Sequence, residues 1–446
     1  MFDLNERGRD LREWSQQMKR DWDERARQDA KWFINTGRLQ QSDAEFDATG
    51  EREVERLILA DLDLLTQGRD PGSLRLLEVG CGLGRLTRPL ARIFGEVCAT
   101  DVSAEMLRQA RARLAGVGNV TFHETDGLDF APLPSEHFDV VFSAYVFRHV
   151  PSAEVIYLNL CDAFRVLKPG GALKFQANTL TTFDYGEVEK DTWVGASFPE
   201  AAIRRFAQEK GAQLISICGG GSPDCWATLR KRPQVASAQP QYAVARPRIE
   251  DFARADSPQV KEVPRSGPGA ALALLVSGLI PDEVDANTVA VEIKEVEAWP
   301  RYVGPPRRGF DASGEAWTQV EINIPVGMPA GEACVRVRLG PDEASPPVTV
   351  ALHEPRPVVP RIERVSNAND EGLLLLVEGL DETADTGNVR LQVGDRIIKP
   401  SAVGSSPRPG VYQVSAHLPR DLRPGATELR LFFGNIGSPG APLEIK

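Results

Sequence analysis

One stretch, Leu74–Gly84 (LRLLEVGCGLG), constrains the fold more than any other. LRLLEV reads as a buried strand that runs directly into Gly80-Cys81-Gly82-Leu83-Gly84. Arg85 to Phe94 then carries a helical pattern that stops at Gly95. Strand, glycine turn and helix make the first unit of a nucleotide-binding α/β fold. Glycines let the backbone pass close to a ligand, and the helix N-terminus offers free N–H groups. The next strand, Glu96 to Thr100, ends at Asp101, 17 residues beyond Gly84. An acid at that place can accept hydrogen bonds from both ribose hydroxyls of a nucleoside.

Two details choose between cofactors. The dinucleotide fingerprint needs G-x-G-x-x-G, but here the third glycine comes one residue early and Arg85 fills its place. Glu78, just before the first glycine, would repel a pyrophosphate yet can hold the ammonium of a methionine moiety. Both departures favour S-adenosylmethionine over a nicotinamide dinucleotide. The motifs LLEVGCGLGRLTRPLAR, ATDVSAEMLRQAR, the Asp126-Gly127 step, FDVVFSAYVFRHVP and RVLKPGGALKF then follow in fixed order. Over about Leu74 to Arg230 this resembles the small-molecule branch of the Rossmann-like (class I) methyltransferases that use S-adenosylmethionine. The paired strands expected at Gln213–Cys218 and Cys225–Arg230 complete such a sheet.

The resemblance implies roles position by position. Glu78, Gly80, Gly82 and Gly84 would shape the methionine and ribose pocket, with Asp101 on the ribose hydroxyls. Val102 and Met106 would flank the adenine, Asp126 and Gly127 would meet its amino edge, and Ser143 would lie on the sulfonium side. Asp101 could instead serve as a helix-terminal acid, although Ser103 is the better N-cap, and Met106 could be core packing. His149, in FRHVP, is the candidate base that takes a proton from an attacking oxygen, nitrogen or sulfur. Its bland reading is a histidine at a strand–helix junction, where Pro151-Ser152 opens a helix. Tyr145 accompanies it as a catalytic candidate, and Asn178, Trp193 and Trp32 are candidate acceptor contacts. A sulfonium is already activated, so in-line positioning can supply most of the acceleration.

Trp14, Met18 and Trp22 fall at i, i+4 and i+8 among charged residues, which predicts an amphipathic helix. Either it packs as structure or it is a lid that closes over cofactor and acceptor and excludes water. DWDERARQDAKWFI followed by EFDATGEREVERLI is similar to the leading segment of some bacterial methyltransferases, which favours the lid.

The pattern changes near residue 233, beyond which helix-length amphipathic segments almost vanish. Pro-Arg-Ile-Glu occurs at Pro247–Glu250 and again at Pro360–Glu363, each copy leading to an apolar run that ends in Gly-Leu. Asn287 leads into TVAVEI as Asn388 leads into VRLQV. Gln319-Val320 matches Gln413-Val414, and Pro325, Gly331 and Gly340 match Pro419, Gly425 and Gly434, all at an offset of 94. A tandem duplication of a small β-sandwich follows. VRVRL at Val335–Leu339 and LRLFF at Leu429–Phe433 support strands with one buried face. The unit resembles the IPT/TIG-type immunoglobulin-like modules, and a fibronectin-like sandwich would carry the same implication of an interaction or spacer role.

The expected architecture is a Rossmann-like α/β sheet with an N-terminal helical lid, followed by two all-β sandwiches. Its parts are residues 1–70, 71–232, a linker at 233–246, 247–355 and 356–446. A net charge of −11 and the absence of a basic tract exclude a nucleic-acid partner at the level of bulk charge. The charged start MFDLNERGRDLREW lacks a signal-peptide core. The longest apolar run, Ala270 to Ile280, is far short of the ~20 residues of a membrane helix, so it is expected as a buried strand and no membrane partner is expected. Six cysteines with no CxxC pair suggest neither a disulfide framework nor a metal site, and a reducing cytoplasm. Cys218 and Cys225 flank a hairpin across which they could approach. The expected partners are a small-molecule methyl acceptor and, through the β modules, a protein or a second copy. The alternatives are an inactive nucleotide-fold binding protein working through its β modules, and a nicotinamide-dependent oxidoreductase.

Overall fold

A computed structural model describes residues 11–36, 41–180, 192–233, 247–266, 269–279, 284–307, 317–339, 343–354, 360–368, 372–380, 389–394, 396–405, 411–418, 425–433 and 436–445. Most of the expected linker (234–246) and Gly340, Asn388, Pro419 and Gly434 of the repeat lie outside them. Three helices lead: α1 (Leu11–Ile34), α2 (Asp43–Leu57) and α3 (Leu62–Thr66). The apolar face of α1 packs inward at Met18, and the helix breaks at Asp29, where φ is −160° and ψ 81°. There the Asp29 carboxylate accepts the Trp32 N–H and restarts the helix, as an N-cap does. Ser42 and Glu45 form a reciprocal capping box that fixes the start of α2.

The α/β part runs β1 (Arg75–Val79), α4 (Thr87–Leu90), β2 (Glu96–Asp101), α5 (Ala104–Arg113), β3 (Val120–Glu124), β4 (Phe138–Ser143), α6 (Ala153–Val166), β5 (Leu167–Ala177), α7 (Glu200–Glu209), β6 (Gln213–Cys218) and β7 (Cys225–Arg230). Its strands lie in the order β3-β2-β1-β4-β5-β7-β6. The first five are parallel, and β7 is antiparallel to both β5 and β6. The order reverses between β1 and β4, which is where open α/β sheets bind ligands. Ser103 and Ser152 cap α5 and α6 as expected. The helix expected over Arg85–Phe94 is regular only at Thr87–Leu90, with turns on either side. Pro89 has no N–H to give to the Arg85 carbonyl four residues earlier, which shortens it.

The same sheet does not stop at β6. The first β module adds β8 (Arg248–Arg254), β9 (Val263–Pro264), β10 (Ala271–Ser277), β11 (Val289–Ile293), β12 (Val296–Ala298), β13 (Tyr302–Gly304), β14 (Thr318–Asn323), β15 (Gly331–Leu339), β16 (Glu343–Ala344) and β17 (Val348–His353). Beyond β6 the order continues β13-β14-β10-β8, giving eleven strands, while β12-β11-β15-β17-β9, with β16 also on β15, form the module's second sheet. The junction is a backbone bond from Ile217 N–H to the Arg301 carbonyl (2.7 Å), with Ser216 opposite Tyr302. Around it Arg204 donates to the carbonyls of Ala286 (2.8 Å) and Pro300 (3.0 Å), and Gln213 donates to that of Val284 (3.0 Å). One apolar cluster runs through from Leu77 and Leu214 to Leu274 and Val337.

The chain accordingly divides differently from the expected boundaries. One compact unit holds Met1–Val263 with Ala270–Leu352, and the other holds Pro264–Gly269 with His353–Lys446. The first β module therefore belongs to the same unit as the α/β sheet, because strand pairing and core are continuous between them.

The second unit contains β18 (Arg361–Ala368), β19 (Gly372–Glu378), β20 (Val389–Val393), β21 (Arg396–Ile398), β22 (Ala402–Ser405), β23 (Val411–His417), β24 (Gly425–Phe433), β25 (Ile436–Gly437) and β26 (Ala441–Ile445). Its sheets β18-β19-β23-β22 and β21-β20-β24, the latter with β25 and β26 also on β24, enclose one core that includes Leu375, Leu391, Val414 and Leu431. That order repeats β8-β10-β14-β13 of the first module. Gly331–Leu339 and Gly425–Phe433 even keep the offset of 94. Cys218 lies opposite Trp226 rather than Cys225, and all six cysteines are free. Among the described residues no helix is long and apolar enough to cross a membrane.

Candidate active site

A cavity of about 130 Å³ opens at the carboxyl ends of β1, β2 and β4, beneath α1. The glycine turn forms one wall. Gly80 has φ of +72°, and a Cβ there would lie 2.2 Å from a Val146 methyl, so only glycine lets the turn approach β4 this closely. Glu78 stands at the end of β1, 2% exposed, with its Oε2 accepting from the Thr87 hydroxyl at 2.6 Å. Burial pushes its carboxyl up to about 7, against the pull of Thr87 and the Arg85 charge. Asp101, at the end of β2, accepts the Gly82 N–H on one oxygen (2.8 Å) and the Ser103 N–H on the other (2.9 Å). Burial pushes it up to about 6, with those backbone bonds holding it down. Val102, Met106 and Gly127 complete this wall.

The opposite wall comes from the β4–α6 connection and the helices above it. Tyr145 holds a left-handed φ of +62°, a strained conformation for a side chain of that size and a recurrent mark of functional sites. Its hydroxyl donates to Glu53 (2.9 Å) and accepts from Arg56 (2.9 Å), both on α2. Burial, with Glu53 alongside, pushes its pKa up to about 12, so it stays a neutral donor. His149 lines the cavity, and its Nδ1 lies 2.7 Å from the Trp193 carbonyl. A carbonyl only accepts, so Nδ1 carries the hydrogen of this bond, which in the neutral form of the ring puts the lone pair on Nε2. Trp22 packs edge-on against that ring at 5.4 Å, and Trp193 lies 5.3 Å away.

Helix α1 is latched over the cavity. The Ser15 hydroxyl donates to the Asp126 carbonyl (2.6 Å), and the Thr192 hydroxyl donates to Asp21 (2.6 Å). Arg25 donates to the Thr192 carbonyl (3.1 Å), with its guanidinium 4.7 Å from the Trp22 ring and 5.4 Å from Trp193. Trp32 stacks on Trp193 at 6.0 Å.

Of the residues singled out from sequence, Glu78, Gly80, Gly82, Asp101, Val102, Met106, Gly127, Tyr145 and His149 line one cavity. Gly84, Asp126, Ser143, Asn178, Trp32 and Trp193 do not. The Asp126 carboxylate accepts the Leu128 N–H (2.8 Å), and the Asn178 side chain accepts the Leu180 N–H (3.2 Å), each shaping its own turn. The Ser143 hydroxyl is buried without a hydrogen-bond partner among the described residues. Trp193 and Trp32 form an outer layer behind Trp22 and His149. Phe33, Ile34, Phe130, Asn159 and, facing the cavity, Arg85 were not assigned to the site from sequence. Only Arg85, directly after the glycine turn, left a signal there.

The set fits a nucleoside carrying an amino acid. Two carboxylates with spare acceptor capacity, Glu78 buried and Asp101 half-buried, suit hydroxyls and an ammonium, while a pyrophosphate would meet charge of its own sign.

With the geometry in place, residues 77–175 match the family described as a methyltransferase domain. Among curated proteins, the chain is 40% identical over 98 residues to a demethylmenaquinone methyltransferase of Tropheryma whipplei (strain Twist), covering 22% of this chain and 39% of that one. It is 43% identical over 112 residues to the ubiquinone/menaquinone biosynthesis C-methyltransferase of Ectopseudomonas mendocina (strain ymp), covering 24% and 42%. The chain thus spans about two-fifths of the length of these relatives. A solved structure of the N-methyltransferase NodS from Bradyrhizobium japonicum WM9, in complex with S-adenosylhomocysteine, aligns with 49% of this chain and 100% of that one, at 21% identity and a TM-score of 0.35.

Proposed function

We propose that the protein is a methyltransferase that uses S-adenosylmethionine and methylates a small molecule. The observation that carries this is the meeting of Glu78, Asp101 and the glycine turn with His149 in one cavity. Bound there, S-adenosylmethionine supplies an electrophilic methyl group. Glu78 holds the ammonium, Asp101 takes the ribose hydroxyls, and Val102 and Met106 pack the adenine. Nε2 of His149 takes a proton from an oxygen, nitrogen or sulfur acceptor, and the names of the relatives add carbon to that range. Tyr145, locked between Glu53 and Arg56, shapes the acceptor side and moves no proton. Helix α1 excludes water as a lid. The second unit is read as an IPT/TIG-type interaction module for a protein partner or a second copy. The six free thiols support a cytoplasmic setting.

Calorimetric titration with S-adenosylhomocysteine tests the reading. The expected result is binding by the full chain and at least tenfold weaker binding by Asp101→Ala. No heat at millimolar ligand, with no effect of that substitution, would overturn it. A screen of acceptors that detects S-adenosylhomocysteine release then identifies the substrate.

A further inference from the structure

Arg85 is a buried cation on the cavity wall, and the charges around it are engaged elsewhere. Its side chain lines the cavity while the residue is only 6% exposed. Of its five N–H donors one makes a long bond, 3.3 Å from Nη1 to the neutral Thr49 hydroxyl. Nε is buried with no partner among the described residues. Glu53 acts on it through space, but the carboxylate oxygen of Glu53 that bonds already accepts from Tyr145 (2.9 Å) and Arg56 (2.8 Å). Glu78 on the other side accepts from Thr87. Neither acid bonds to Arg85. The residue has no freedom to leave: α2 passes so close that a Cβ on Gly50 would lie 2.1 Å from the Arg85 carbonyl. A guanidinium remains charged in proteins, and a buried charge without an ionic hydrogen bond is costly. Such a group is complementary to a planar anion, which it can hold with two parallel bonds.

We propose that Arg85 is an anion receptor that binds a carboxylate or similar oxyanion of a ligand in this cavity. The anion has two possible sources, the methionyl carboxylate of the cofactor or an acidic group on the methyl acceptor. The proposal rests on the reading of the cavity as a nucleoside site, and its test separates the two.

The full chain and Arg85→Gln are titrated with S-adenosylhomocysteine and with 5′-methylthioadenosine, which lacks the amino-acid end. Benzoate and inorganic phosphate are then titrated separately, onto both the free protein and the nucleoside complex. If Arg85 holds the methionyl carboxylate, the variant binds S-adenosylhomocysteine at least tenfold more weakly and methylthioadenosine unchanged, which also shows that it folds. If Arg85 serves the acceptor, both nucleosides bind unchanged and the variant loses the benzoate or phosphate binding of the parent. Arg85→Lys should restore part of whichever affinity is lost. Equal binding of all four probes by parent and variant overturns the proposal. A parent that binds neither nucleoside overturns the methyltransferase reading instead, and anion binding to the free protein still decides the role of Arg85.

Discussion

Two carboxyls on one wall make the site sensitive to pH. Glu78, ordinarily at 4.5, is pushed to about 7, and Asp101, ordinarily at 3.8, to about 6, in both cases chiefly by burial. A carboxyl whose folded pKa is raised favours the folded state while protonated, and that stability is lost as pH rises through the folded value. The ligand-free protein should therefore lose stability between about pH 3.8 and 7, while affinity for S-adenosylhomocysteine, whose ammonium needs an ionised Glu78, should rise through about 7. Glu78→Gln should flatten the affinity profile and reduce the stability change to the part that Asp101 contributes. Thermal unfolding and calorimetry across that range check this, and an affinity that falls with pH would sink it. The positions of Glu78, Asp101 and the glycines were legible because a tight turn fixes their spacing along the chain. The isolation of Arg85 was not, since it depends on Glu53 being held by Tyr145, 92 residues away in sequence. His149 was legible as a candidate, but the tautomer that makes it a base is set by a carbonyl 44 residues further on.

At the level of elements, the proposed lid is α1 together with the chain at Thr192 and Trp193. Removing the Arg25 guanidinium takes away its bond to the Thr192 carbonyl and its contacts over Trp22 and Trp193. A cation–π contact contributes on the order of 0.5–1 kcal/mol, so Arg25→Ala should speed release of S-adenosylhomocysteine about fivefold. Arg27→Ala, which removes only an exposed partner of Asp23, should leave it unchanged. Stopped-flow tryptophan fluorescence reads both rates, and equal rates in the two variants would show that α1 is packing alone. The period of Trp14, Met18 and Trp22 announced this helix and its inward face. The break at Asp29 was hidden in DAKWFI, where an acidic side chain that caps a second segment looks like one more surface charge. The pair Gln213–Cys218 and Cys225–Arg230 appears where expected, because alternating apolar runs bounded by glycine leave little choice. Arg85–Phe94 shows the converse, since one proline outweighs a helical pattern.

For the whole molecule, the duplication was legible from repeated spacing, but the partner of each copy was not. Strand pairing between β6 and β13 joins segments more than 80 residues apart and leaves no periodic trace. A chain ending after Arg232 should be insoluble or markedly less stable, since it uncovers Leu214 and Ile217 and strips Arg204 and Gln213 of their carbonyl acceptors. A chain ending after Leu352 should keep its fold and its binding of S-adenosylhomocysteine. Circular dichroism melts of the two would decide, and a stable, binding-competent shorter chain would refute the continuity of the unit. An open sheet exposes unpaired backbone along each outer strand, a template for aggregation. In the continuous sheet only β3 and β8 are outermost, so β6 and β13 are each other's chaperone. Cut within residues 234–246 and expressed as two pieces, the protein should behave as a split reporter: each half sticky alone, and the pair soluble together.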